Sequence, residues 1–82
     1  MLTKDLKKGT RITQRNGWEA KIVGSARGTT TLCEVYGFCT EMGSIYTHDM
    51  TGYYDEQGNY KTDIEFTKSQ LKCKEMTRSM GW

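Results

Sequence analysis

Residues 10–23, Thr10-Arg-Ile-Thr-Gln-Arg15, Asn16-Gly17 and Trp18-Glu-Ala-Lys-Ile-Val23, read as a β-hairpin. Two alternating runs flank Asn-Gly, the dipeptide that most readily supplies positive φ at both central positions of a two-residue turn. Alternation places Ile12 on one face of the first strand, and Trp18, Ala20 and Ile22 on one face of the second. Arg11, Arg15 and Lys21 fall on the opposite, outer face.

The same grammar continues outward. Gly24-Ser-Ala-Arg-Gly28 reads as a loop. Residues 29–38, β-branched and aromatic, predict the longest strand, with Gly37 marking a bulge or bend. Cys33 and Val35 share one face of it; Leu32, Glu34, Tyr36 and Phe38 share the other. Gly43 opens a strand over residues 44–48, with Tyr46 and His48 on a common, exposed side. Residues 51–62 predict a polar hairpin turning at Gln57-Gly58-Asn59. After a short strand at Ile64-Glu-Phe66 the pattern changes. Thr67 and Gln70 form a capping box, Phe66 and Leu71 are spaced for a hydrophobic staple, and a helix follows over about 68–80, closed by Gly81. Cys73, Met76 and Met80 would form its apolar face.

These elements predict a single domain over 1–82, mainly β with one α element. Its strands lie within 10–66. They would form a small SH3-like barrel or a rolled antiparallel sheet with one C-terminal helix. Lys8-Gly9-Thr10-Arg11-Ile12, Asn16-Gly17-Trp18 and Val35-Tyr36-Gly37 carry a resemblance to SH3-like small barrels over residues 9–50. Gly43-Ser-Ile-Tyr-Thr-His-Asp49, Ile64-Glu-Phe-Thr-x-x-Gln70 and Met80-Gly81-Trp82 resemble short proteins encoded by phages and prophages. That resemblance implies an accessory viral product, and it brings no catalytic residues with it.

A chain of 82 residues buries only roughly 60% of the surface its unfolded form exposes, so the core is thin. No apolar run approaches the roughly 18 residues of a membrane span, and no secretory leader is read at the start. Three cysteines are an odd number for a disulfide framework and suit a reducing, cytoplasmic setting. The expectation is a complete small gene product with no membrane partner.

The net charge of +2 hides strong segregation. Residues 1–30 carry seven basic and two acidic side chains, a net of +5. Residues 31–66 carry one against seven, a net of −6, and residues 67–82 carry four against one, a net of +3. A first hairpin packed beside the helix would give one basic and one acidic side.

No constellation recommends an enzyme. Cys33, Cys39, His48 and Cys73 could compose a zinc site, but their gaps of five, eight and twenty-four residues contain no tight knuckle. Neither a metal nor any other cofactor is expected. His48 beside Asp49 would point away from it on a strand, and the glycines form no P-loop. Catalytic residues are therefore expected to be absent. Protein binding is the leading expectation. Tyr36, Phe38, Tyr46, Tyr53, Tyr54 and Tyr60 exceed what a thin core holds. Docking on a host protein, as an inhibitor or nucleic-acid mimic, would use Tyr36, Tyr46, Asp49, Tyr53, Tyr54, Asp55 and Glu56. The alternative is a nucleic-acid module using Lys7, Lys8, Arg11, Arg15, Lys21, Arg27, Lys72 and Arg78 against phosphates, with outward aromatics stacking bases. Unpaired sheet edges or the Met76/Met80 face offer a homodimer contact.

Overall fold

The structure is a computed structural model that describes residues 1–79, apart from the side chains of Lys4, Ser25, Ala26 and Arg27. It is mainly β. Six antiparallel strands, β1 (Arg11–Gln14), β2 (Glu19–Arg27), β3 (Thr30–Tyr36), β4 (Thr40–Tyr46), β5 (Met50–Tyr54) and β6 (Tyr60–Lys61), precede one helix, α1 (Lys68–Ser79). They form a single open sheet in the order β4-β3-β2-β1-β5-β6. The expected mainly β fold with one C-terminal helix is present, as an antiparallel sheet whose edge strands, β4 and β6, do not pair with each other. Single 3-10 turns lie at Thr3–Asp5 and Thr47–Asp49.

The first hairpin pairs Ile12 with Ala20 and Thr13 with Glu19, but its turn differs from the two-residue form. Gly17 N donates to Gln14 O at 2.9 Å, and Gln14 N donates to Trp18 O at 2.8 Å. The connection is therefore Arg15-Asn16-Gly17. Only Gly17 takes positive φ, +88°, as in a type I turn followed by one left-handed residue. Asn16 keeps a negative φ and its Oδ1 accepts the Trp18 N–H at 3.0 Å.

Of the expected loop at 24–28, residues 24–27 are strand and only Gly28 turns. β2 runs on to Arg27, and the β2–β3 register shifts between Ile22 and Ala26. A bulge thus absorbs the glycine-rich stretch while the ladder continues. At nine residues β2, and not the 29–38 segment, is the longest strand. The expected strand at 44–48 stops at Tyr46. Thr47 and His48 turn inward on a 3-10 turn, 0% and 5% exposed. Thr47 is fixed there by a hydrogen bond between its hydroxyl and that of Thr31, 2.8 Å. Residues 64–66 form no strand; a single parallel bridge joins Leu2 to Glu65.

The core lies against one sheet face: Ile12, Ala20, Ile22, Cys33, Met50 and Tyr53, with Leu6 brought over from the N-terminal segment. Val35, Ile45 and Ile64 pack around it. Ile12, Ala20 and Val35 are register partners across β1, β2 and β3, so the alternation in the sequence becomes one apolar row.

The capping box is present. Gln70 Oε1 accepts Thr67 N–H at 2.9 Å, and Gln70 N–H reaches Thr67 Oγ1 at 3.2 Å. The buried face of α1 is polar, however, formed by Gln70 and Thr77. Met76 is 57% exposed and Leu71 46%, so neither the sulfur-rich face nor the staple organises the helix. Gln70 buries because hydrogen bonds to the N-terminal segment and Gly28 await it, and Thr77 is satisfied within the helix by the Lys74 carbonyl at 3.0 Å. The Gly81 cap and Met80 lie outside the described residues.

Candidate functional site

The fold intermingles the charges that the sequence keeps apart. Lys7 meets Glu56 at 3.4 Å, Arg15 meets Asp49 at 3.7 Å, and the N-terminal ammonium meets Asp63 at 3.7 Å. Each links the basic first third to the acidic middle. Arg11 pairs with Glu19 at 2.9 Å within the first hairpin, and that hydrogen bond raises the already high pKa of the guanidinium. The expected basic and acidic sides do not form around these residues. Solvent-screened pairs of this kind contribute little to stability; their consequence is cancellation of field. Of the remaining cations, Lys8, Lys72 and Arg78 are exposed and Lys21 is half-buried. The Arg27 side chain lies outside the described residues.

The acidic tyrosine-rich segment is divided: Tyr53 is buried, Tyr54 and Asp55 are half-buried, and residues 56–62 are exposed. Tyr53 is in the core, 5% exposed, and its hydroxyl donates to Asp63 Oδ1 at 2.7 Å. That bond raises the Tyr53 pKa and holds Asp63 below the usual carboxylate range. Asp55 Oδ1 accepts the backbone N–H groups of Gln57 and Asn59 at 2.9 and 2.8 Å, closing the β5–β6 turn. The bonds from Asn59 and Gln57 lower its pKa. The Tyr54 ring lies under the Arg11 guanidinium, 4.7 Å from its centroid, with Tyr60 at 5.2 Å. Tyr46 stacks on His48 at 5.1 Å. Tyr53, Tyr54, Asp55 and Tyr46 thus take part in packing and turn closure, while Glu56 stays exposed and Tyr36 lies at the sheet's far end.

His48 and Asp49 correct a second expectation. On a strand they would diverge, but the 3-10 turn brings His48 Nδ1 to 3.3 Å from Asp49 Oδ1. His48 is buried, not an exposed strand residue. An open groove of about 880 Å³ runs between the N-terminal segment and the β5–β6 hairpin, lined in part by Lys7, Lys8, Arg11, Tyr54, Glu56 and Lys61. Both cations and carboxylates line it.

Three of the exposed aromatics among the described residues gather at one end of the sheet, while Tyr60, 48% exposed, lies apart on β6. Phe38 is 99% exposed in the β3–β4 turn, and Trp18 is 39% exposed at the start of β2. Their rings meet edge to face, 5.6 Å apart at 81°. The Trp18 ring lies directly on Gly37, where a β-carbon would collide with it. Glycine is required there by contact, not by backbone angle. Tyr36, 37% exposed, pairs with Glu19 and Thr40 at the same end. The sequence places Trp18 on the core face and Phe38 inside a strand, so it misses this juxtaposition. Gly37 was its signal: a bend within an aromatic run.

The cysteines do not converge. Cys33 is buried, Cys39 exposed and Cys73 half-buried on α1. Among the described residues, no three His, Cys, Asp or Glu side chains are grouped to hold a metal ion. Burial pushes the Cys33 thiol up to about 11. Cys39 donates to Glu41 Oε1 at 3.3 Å, which raises its pKa. Alkylation followed by mass spectrometry should leave Cys33 unlabelled in the folded protein. Glu41→Gln should speed labelling of Cys39, because the thiolate is the nucleophile.

Fold and site together define a small open-sheet β domain presenting an aromatic end. No protein-family model, curated protein or solved structure matches the chain. No helix among the described residues is long and apolar enough to cross a membrane.

Proposed function

We propose that this chain is a non-enzymatic binding protein of the phage accessory type. It docks on a host protein, in the host cytoplasm, through its aromatic end. The observation that carries this reading is Phe38: a wholly exposed phenyl ring, propped on Trp18. Water-exposed phenyl surface is unfavourable in the free protein, and its transfer into a partner's apolar slot is worth about 1.5–3 kcal/mol. Trp18 holds the ring in place before binding, which reduces the entropy lost on docking. The phage resemblance at residues 43–49, 64–70 and 80–82 supports a host protein as partner.

Immobilised protein should retain its partner in the wild-type form and with Asp55→Lys plus Glu56→Lys, and should lose it with Phe38→Ala. Retention by Phe38→Ala would exclude the aromatic end. The nucleic-acid alternative draws on Arg11, Tyr54 and Tyr60 on the outer sheet face. Because Lys7, Arg11 and Arg15 are held by carboxylates, a gel-shift assay at low salt should show no binding to single- or double-stranded DNA or RNA. A shift whose affinity falls linearly in log salt would reverse that ranking.

A further inference from the structure

The two edges of the sheet are guarded unequally. β6 is two residues long and carries Lys61, which suits an edge protected from further pairing. β4 is seven residues long, with no lysine, proline or bulge, and its register with β3 is regular from Thr40 to Tyr46. Among the described residues, no strand pairs with its outer side.

The free edge has a definite parity. At one end of the β3–β4 ladder Thr47 N donates to Thr29 O, 2.9 Å; at the other, Gly37 N donates to Cys39 O, 3.4 Å. Hydrogen-bonded pairs alternate along an antiparallel ladder, so Glu41, Gly43 and Ile45 direct their N–H and C=O groups to β3. Thr40, Met42 and Ser44 direct theirs outward.

We propose that β4 pairs antiparallel with β4 of a second copy, about a two-fold axis at Gly43, joining two sheets into one. This goes beyond the docking function and does not depend on it. A second copy is the occupant because the strand is complementary to itself in this register. Met42 would face Ser44 of the second copy in a hydrogen-bonded pair, and Ser44 would face its Met42. Glu41 would face Ile45 of the second copy, so no carboxylate opposes another. Gly43 would meet Gly43 of the second copy in the close, non-bonded pair, and the space where its β-carbon would stand is open. On the outer face, Met42 is 64% exposed and Leu32, register partner of Ser44, is 41% exposed. The two-fold brings both Met42 side chains beside the axis with a Leu32 flanking each, covering apolar surface that the single chain leaves wet.

Two short strands bury less than the roughly 1,200 Å² of stable specific interfaces, so association should appear at high micromolar concentration. Sedimentation equilibrium from 10 µM to 1 mM (about the range this interface size implies) is the test, on wild type, Ser44→Pro and Met42→Lys. Proline at Ser44 removes an outward N–H and spares the β3 ladder, a position where edge strands accept proline. Met42→Lys removes the apolar cover and sets two ammonium groups beside the axis. Both should weaken association at least about tenfold, equivalent to 1.4 kcal/mol, while the thermal midpoint of the monomer holds. A wild type that stays monomeric throughout overturns the proposal, as does a folded Ser44→Pro that associates like wild type. If Ser44→Pro fails to fold, undiminished association of Met42→Lys overturns it.

Discussion

Gln70→Ala is expected to cost about 2–4 kcal/mol, because three hydrogen bonds lose a buried partner at once. The side chain is 2% exposed. Its Oε1 accepts from Thr67 N and from the Thr3 hydroxyl, 2.9 and 3.0 Å away, and its Nε2 donates to Gly28 O at 3.2 Å. One amide thus ties the helix start to the N-terminal segment and to the β2–β3 turn. Alanine leaves each of those groups without its protein partner. At about 4–8 °C per kcal/mol for a domain of this size, the thermal midpoint should fall by roughly 10–30 °C. Gln70→Glu should be milder. It keeps the acceptor for Thr67 and Thr3 but turns a carboxylate oxygen toward Gly28 O. Lowering the pH should recover part of its loss, as the introduced carboxyl gains a proton to donate. Circular dichroism melts of the three proteins at neutral and acid pH provide the check.

Phe38→Ala should reduce partner affinity by about 2 kcal/mol or more, at least about thirtyfold. The same change should leave the thermal midpoint within about 2 °C, because an exposed ring contributes little to folding. That separation of binding from stability marks a docking residue. Trp18→Ala should weaken binding too, with some cost in stability, since Trp18 also covers Gly37. Gly37→Ala tests the arrangement itself. Both rings remain chemically intact, but the new methyl occupies the place of the Trp18 ring. Binding measured by titration calorimetry should fall for all three. Asp55→Lys with Glu56→Lys should change it by less than about threefold, because exposed rim charges contribute little.

The fold was legible where side-chain periodicity and burial agree. Ile12, Ala20, Ile22, Cys33 and Val35 alternate in the sequence and line one face in the structure. Thr67 and Gln70 announce the helix three residues apart and meet as a capping box. Legibility failed where tertiary contacts overrode local signals. Asn16-Gly17 signals a two-residue turn, yet the register with Trp18 selects three. Gly24 to Gly28 signals a loop, yet a partner strand carries the ladder through it with a bulge. Thr47 and His48 alternate as a strand would, yet the buried hydroxyl bond between Thr47 and Thr31 pulls them into a 3-10 turn.

The candidate site was less legible for a related reason. Charge in a sequence says nothing of which opposite charge it will meet. Seven basic residues in the first thirty promise a basic surface, but Lys7, Arg11 and Arg15 each find a carboxylate once the chain folds. Tyrosine count misleads in the same way. Tyr53 fills the core, and Tyr54 packs between Arg11 and Tyr60. The aromatic end depends on two turns, at Asn16-Gly17 and at Gly37, coming side by side, a juxtaposition set by the β2–β3 pairing.

Photo-crosslinking tests the central claim most directly. Benzoylphenylalanine would be placed at position 38 in one protein and at position 56 in another, each irradiated in host extract. Position 38 is predicted to yield one dominant adduct that excess wild-type protein suppresses, and position 56 none. An adduct at position 56 with none at position 38 would contradict the account.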